Sequence, residues 1–281
     1  MTYDREPRLQ RVERDGIAWF SDPLLEAESG IDVAFSTRRG GASDEPWSSL
    51  DLAAHTGDDT AAVDENRARL LTALGLDPTL LVTAEQVHGD HVAIVTADDA
   101  GRGAIAAAGP RPLPATDAMI TSEPGVPLLM MFADCVPVVL VARGPVRSVA
   151  VVHAGWRGAL CSLTGAAANA LAAHAGCAPA QLDAYIGPHI GPCHYDVDAD
   201  LAEAFRERFA EVTHSASMAA AASRVDLGAA VSQALTRAGL RPQRIAKLGM
   251  CTAEHLALFY SYRAEGRTGR HGALAAVLPD V

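Results

Sequence analysis

Residues 126–158, VPLLMMFADCVPVVLVARGPVRSVAVVHAGWRG, decide how this chain folds. Leu128–Val141 and Val146–His153 are long apolar stretches rich in β-branched residues, and they predict buried strands. The run from Val126 to Ala142 carries Asp134 and two prolines, Pro127 and Pro137, and falls short of the roughly 20 residues that span a bilayer. After His153 comes Ala154-Gly155-Trp156-Arg157-Gly158 and then an alanine-rich stretch that predicts a helix from about Ser162 to His174, closed by Gly176. A strand that runs through a glycine turn into a helix places its last side chains where ligands gather in α/β folds.

The flanking sequence extends this pattern. Upstream, Gly16–Phe20 and the alternating Ile31–Ser36 predict strands, Asp64–Leu74 a helix ended by Gly75, and residues 79–96 two strands around a Gln86-Val87-His88-Gly89 turn. Asp98–Pro114 reads as loop and Ala115–Thr121 as a short strand. Downstream, Ala184–Pro188 predicts a strand, Asp200–Val212 an amphipathic helix, Ser215–Ser223 an alanine tract of either kind, Val225–Ala238 a helix and Ile245–Cys251 a strand; Leu256–Tyr262 and Gly272–Leu278 complete the chain. With no repeat and no linker, the expectation is one α/β domain of mixed α+β type over residues 1–281. Central mixed sheets are flanked by helices, and residues 1–15 form a loose tail.

Composition narrows the function. Apolar residues make up 49% and charged residues 20%, the profile of a folded globular enzyme. A formal net charge of −11 repels nucleic-acid phosphates and anionic lipid, which argues against nucleic acid and membrane as partners and for a small-molecule substrate. An anionic substrate then needs a local cluster of arginines or helix N-termini. Five cysteines without a CxxC pair, after a charged N-terminus unlike a signal peptide, predict a reducing cytoplasm.

Three segments place a soft ligand beside an apolar run: His88, Cys135 after Asp134, and His153. Two imidazoles and one thiolate are the donor set of a catalytic zinc that keeps its fourth position open. His91 is set aside, because residues three apart on a strand face opposite ways. Cys161 and Cys177 read as cysteines buried with the alanine-rich helix. His189 and His194, on the Gly/Pro loop Ile186–Tyr195, read as incidental polar side chains of a rigid loop or as a wall of the pocket, and not as a second metal site. The Thr37–Ser43 loop with Arg38, Arg157 after the glycine turn, and the Arg263, Arg267 and Arg270 stretch between tyrosines and glycines are the candidate anion contacts.

The chain resembles the laccase-domain family, once named multicopper polyphenol oxidases and now associated with purine nucleoside phosphorylase and adenosine deaminase activity. The likeness rests on Phe35-Ser36-Thr37-Arg38 with Gly40-Gly41, Asp64-Glu65-Asn66-Arg67, Gln86-Val87-His88-Gly89, Thr116-Asp117-Ala118, Ala133-Asp134-Cys135, His153–Gly158, Ile186-Gly187-Pro188, Tyr195, Tyr260–Arg263 and Thr268-Gly269-Arg270. Asp51, Ala264-Glu265 and His194 depart from the family pattern at positions that bear on substrate contacts. The resemblance implies a single mixed α/β domain with zinc, or copper in the same site, on His88, Cys135 and His153. It also implies phosphorolysis of adenosine or inosine, and of S-methyl-5'-thioadenosine, together with adenosine deamination. Arg38, Arg67, Arg157, Arg263 and Arg270 then hold substrate or phosphate, and Asp134 or Glu85 moves the proton.

Three other functions compete. A cysteine hydrolase acting on a peptidoglycan precursor would use Cys135 as nucleophile and His153 as base. A copper polyphenol oxidase would need a trinuclear cluster of many more histidines, and the chain has no His-x-His pair. A zinc-stapled binding protein would want four protein ligands where three are found.

Overall fold

The computed structural model describes residues 5–215 and 223–280. In chain order the main elements are β1 (Gln10–Arg14), β2 (Ile17–Ser21), α1 (Pro23–Ser29), β3 (Ile31–Ser36), α2 (Thr60–Leu74), β4 (Val82–Thr83), β5 (Val92–Ile94), β6 (Ala118–Thr121), β7 (Leu128–Phe132), β8 (Val136–Ala142), β9 (Ser148–Ala154), α3 (Trp156–Leu160) and α4 (Leu163–Ala175). They continue with β10 (Asp183–Ile186), β11 (Asp196–Val197), α5 (Ala199–Arg208), β12 (Thr213–Ser215), β13 (Ser223–Val225), α6 (Leu227–Arg237), β14 (Ile245–Lys247), α7 (Tyr262–Glu265) and β15 (His271–Val277).

Two six-stranded mixed sheets result, in the orders β1-β2-β3-β15-β7-β4 and β14-β10-β8-β9-β6-β5, with a small β11-β13-β12 sheet at the side. Strand parity sorts side chains into layers. Val139 and Val141 of β8 with Val149 and Val151 of β9 meet Phe35, Met130, Phe132 and Ala273 of the other sheet. The alternate residues Val136, Val138, Leu140 and Val152 face Leu163, Ala167 and Leu171 of α4 and Val231 and Leu235 of α6. Leu129 and Met131 of β7 and Leu274 of β15 pack outward on Leu70 and Leu71 of α2. The order is therefore helix, sheet, sheet, helix, and the strands of residues 126–154 are apolar throughout because both faces are covered. Gly75 and Gly176 end α2 and α4 in left-handed conformations, the role expected of them.

Several expectations change. Residues 10–14 are no loose tail: β1 pairs antiparallel with β2 over its whole length. The two strands around the His88 turn are not partners, since β4 lies parallel to β7 in one sheet and β5 parallel to β6 in the other. Leu128–Val141 is likewise split at Ala133-Asp134-Cys135, with β7 and β8 in different sheets. Both breaks carry the chain across the gap between sheets. Cys161, expected to be buried, is exposed between α3 and α4. The alanine tract at 216–222 lies outside the described residues. Among the described residues, no helix is long and apolar enough to cross a membrane.

Candidate metal centre

The two crossings and the end of β9 converge. The Gln86 side-chain amide donates to Met131 O at 2.8 Å and accepts from Met131 N at 2.9 Å, so it prolongs the β4–β7 pairing by side chain and fixes where the turn begins. His88 then takes a left-handed conformation, φ 59°. In that shape the N–H groups of Val87, His88 and Gly89 converge on the Asp117 carboxylate at 3.2, 3.0 and 2.7 Å. The same carboxylate lies 2.7 Å from His153 Nδ1, and His153 N donates to Asp117 O at 2.8 Å. A fully buried Asp117 at the start of β6 therefore aims both histidines. Fixing Nδ1 as donor leaves His153 Nε2 free to ligate.

Cys135 stands against this pair, its Sγ 3.7 Å from His88 Nε2, and the two imidazoles meet edge to face at 4.7 Å between centroids. The three ligand atoms all lie within 4.8 Å of one another. Gly155 permits the approach, because a Cβ there would stand 2.9 Å from His88 Cδ2 and 3.1 Å from Cys135 Sγ. Burial pushes the Cys135 thiol up, but His153 and His88 outweigh it and bring it down to about 6. Burial likewise lowers His153, and Cys135 and Asp117 outweigh it and raise it to about 9. Burial also opposes ionisation of Asp117, yet His153 and the N–H groups of Gly89 and Val87 hold it below the usual carboxylate range. A thiolate, the exposed imidazole of His88 and the buried, carboxylate-oriented imidazole of His153 make a donor set suited to a thiophilic divalent metal.

The three ligands open into a pocket of about 360 Å³, whose walls include His55, Tyr195, Tyr262, Arg263 and Arg270. A second pocket of about 880 Å³ adjoins it, sharing His55, Gln86 and Met131 and adding Arg67 and Glu85. Arg263 stacks on Tyr195 at 5.1 Å and donates to Asp196 O at 2.9 Å. Arg270 turns back on the carbonyls of Thr268 and Gly269, both at 2.8 Å. The Arg67 guanidinium is buried on the carbonyls of Leu52 and Gly103 at 2.9 and 2.8 Å. Arg38 lies in a separate depression, paired with Glu265 at 2.8 Å and stacked on Tyr260 at 4.3 Å. Arg157 is exposed over the Trp156 ring at 4.3 Å and is not among the described residues lining either pocket.

Asp134 also lines the smaller pocket, but both its oxygens are engaged, one by Thr252 Oγ1 at 2.6 Å and the other by Arg263 N at 2.7 Å. Asp51 is buried and accepts from Ala53 N, Thr56 Oγ1 and Arg270 N at 3.0, 2.7 and 2.8 Å, so that departure from the family pattern supports the Arg270 segment. Sequence reasoning gave no role to Asp117, Gln86 or His55. Asp117 and Gln86 stood inside quoted motifs, whereas His55 carried no signal. His55, between the two pockets, is held below its ordinary value by burial and by the charges of Arg270 and Arg67.

Residues 32–278 match the family described as multi-copper polyphenol oxidoreductase laccase. The chain belongs to this family. It is 35% identical over 265 residues to purine nucleoside phosphorylase YlmD of Geobacillus stearothermophilus, covering 93% of this chain and 94% of that one. It is 33% identical over 248 residues to purine nucleoside phosphorylase YfiH of Escherichia coli, with 88% and 94% covered. The crystal structure of YlmD from Geobacillus stearothermophilus superposes with a TM-score of 0.87 at 33% identity, over 97% of this chain and all of the other (100%). Bacillus licheniformis YfiH gives 0.85 at 29% identity, over 96% and 98%.

Proposed function

We propose that the protein is a zinc-dependent purine nucleoside phosphorylase. The observation that carries this reading is the junction of a cluster of three soft donors, His88, Cys135 and His153, with an aromatic and cationic pocket, in a chain whose relatives are named purine nucleoside phosphorylase. His88, Cys135 and His153 would hold the zinc, which would supply positive charge to polarise a substrate or water oxygen.

The chain's own groups do the rest. Tyr195 and Tyr262 offer ring faces to a purine. Arg263 and Arg270, with Arg67 reached through the adjoining pocket and His55 between them, give an otherwise acidic protein a local site for phosphate. Phosphate oxygen bonds to the anomeric carbon as the bond to the base nitrogen breaks; the base leaves with a proton and ribose 1-phosphate remains. Arg38, through Glu265, and Asp134, through the Arg263 backbone, are positioning residues in this scheme. Arg157, exposed at the start of α3 two residues after Gly155, is proposed as a further phosphate contact.

Adenosine deamination is proposed as a second activity of the same metal site. It needs a carboxylate free to exchange a proton, and with Asp134 tethered, exposed Glu85 in the adjoining pocket is the better candidate. S-methyl-5'-thioadenosine fits the same reading as a substrate, and the thiol ligand accords with a cytoplasmic setting.

Two observations favour alternatives. Met131 lines the metal pocket, which suits copper on the same ligands. The lowered Cys135 thiol suits a nucleophile. Cys135→Ala decides among these: zinc at the pocket ligands and phosphorolysis should be lost together, leaving the variant one equivalent of zinc below the native protein. Zinc content equal to that of the native protein, or copper with phenol oxidation in the native protein, contradicts the proposal.

A further inference from the structure

Away from the pocket lining, Cys193, His194 and Cys251 form another cluster of soft donors, with ligand atoms all within 4.8 Å of one another. Cys193 and His194 lie on the turn after Gly191, and Cys251 follows β14 on a separate segment. Backbone pairing joins the two segments: His189 bridges to Cys251, and Thr252 N donates to His189 O at 3.0 Å. Cys251 Sγ accepts from Gly191 N at 3.2 Å and lies 3.8 Å from His194 Nδ1. Sulfur and nitrogen bound to one tetrahedral zinc stand about 3.6 Å apart, given bond lengths of about 2.3 and 2.1 Å. Glu254 completes the group, one oxygen 3.9 Å from His194 Nδ1.

We propose that Cys193, His194 and Cys251 bind a second thiophilic divalent cation of the zinc class, with Glu254 turning in as the fourth ligand. Four protein donors make this a closed, structural site, unlike the three-ligand centre in the pocket. The site would clamp two segments that serve the pocket. Ile190 and Tyr195 line the pocket on either side of the Cys193 turn, and Thr252, next to Cys251, holds Asp134.

The test uses the full chain with Cys135→Ala, which disables the pocket centre, stripped of metal and kept reduced, then titrated with cobalt(II) and, separately, zinc. The expected result is one tightly held equivalent of metal and a thiolate-to-cobalt absorption band. The band should be lost on adding Cys193→Ser, and affinity should fall at least tenfold on adding His194→Ala, whose exposed side chain can be removed without disturbing the core. Circular dichroism verifies the fold of each variant. Absence of the band in folded Cys135→Ala overturns the proposal, as does a band that survives Cys193→Ser and Cys251→Ser together. A Cys193–Cys251 disulfide that resists reductant overturns it as well. The outcome is independent of nucleoside turnover.

Discussion

Asp117 shows how one buried carboxylate can organise a centre that it does not itself complete. It accepts from three turn N–H groups and from His153, so its removal should misplace two ligands at once. Asp117→Ala should lower zinc affinity about 10- to 100-fold, measured by chelator competition. Cys135 provides a second check, in metal-free protein. The Cys135 thiol falls to about 6 and His153 rises to about 9, so both are charged between those values. The Cys135 thiolate's contribution to stability is present at high pH and lost as pH falls through about 6; that of His153 is present at low pH and lost as pH rises through about 9. Alkylation of Cys135 should accordingly follow a titration near pH 6 in the stripped protein and be blocked by zinc. Equal alkylation with and without zinc would favour the nucleophile. The three candidate ligands were legible in sequence because each is a soft donor beside an apolar run, and the fold brings their ligand atoms within 4.8 Å of one another. Asp117 was not, because its role exists only once the turn has folded around it.

At the scale of elements, the site depends on two chain crossings between sheets and one glycine turn. Sequence periodicity reported strands on both sides of His88 and of Cys135, but alternation encodes which face is covered and not which sheet a strand joins. The expected pairing around His88 therefore failed although β4 and β5 both exist. Cys251 was invisible as a partner of Cys193 for a similar reason, since the β10–β14 pairing that brings its segment close is long-range. Gly155 tests the packing of the turn. Its φ of −74° suits any residue, so Gly155→Ala acts only through the methyl group driven toward His88 and Cys135. We expect weakened zinc binding, read by the same competition assay, with a circular dichroism spectrum like that of the native protein. Unchanged affinity would mean that the ligands are less closely set than described.

In the whole molecule, the candidate metal centre lies where the two sheets meet: His88 and Cys135 sit on crossings, and His153 faces Phe132 of the opposite sheet at 5.3 Å between centroids. A metal bound there ties the sheets together and should stabilise the native state by about 4 kcal/mol at a thousandfold excess over Kd. Chelation should lower Tm by several degrees, and zinc should restore it; indifference of Tm to chelation would place the metal elsewhere. That the central strands are buried was readable from residues 126–154, since strands covered on both sides must be apolar throughout; which layer covers each face was not. The arginines divided less predictably, because charge alone does not tell a guanidinium facing a pocket, as in Arg263, from one buried on carbonyls, as in Arg67. The most direct test of the central claim is the product formed from inosine by the zinc-loaded protein with and without phosphate. Ribose 1-phosphate and hypoxanthine should appear together, at equal amounts, only when phosphate is present; hypoxanthine released without phosphate, or no cleavage by fully zinc-loaded protein, would contradict it.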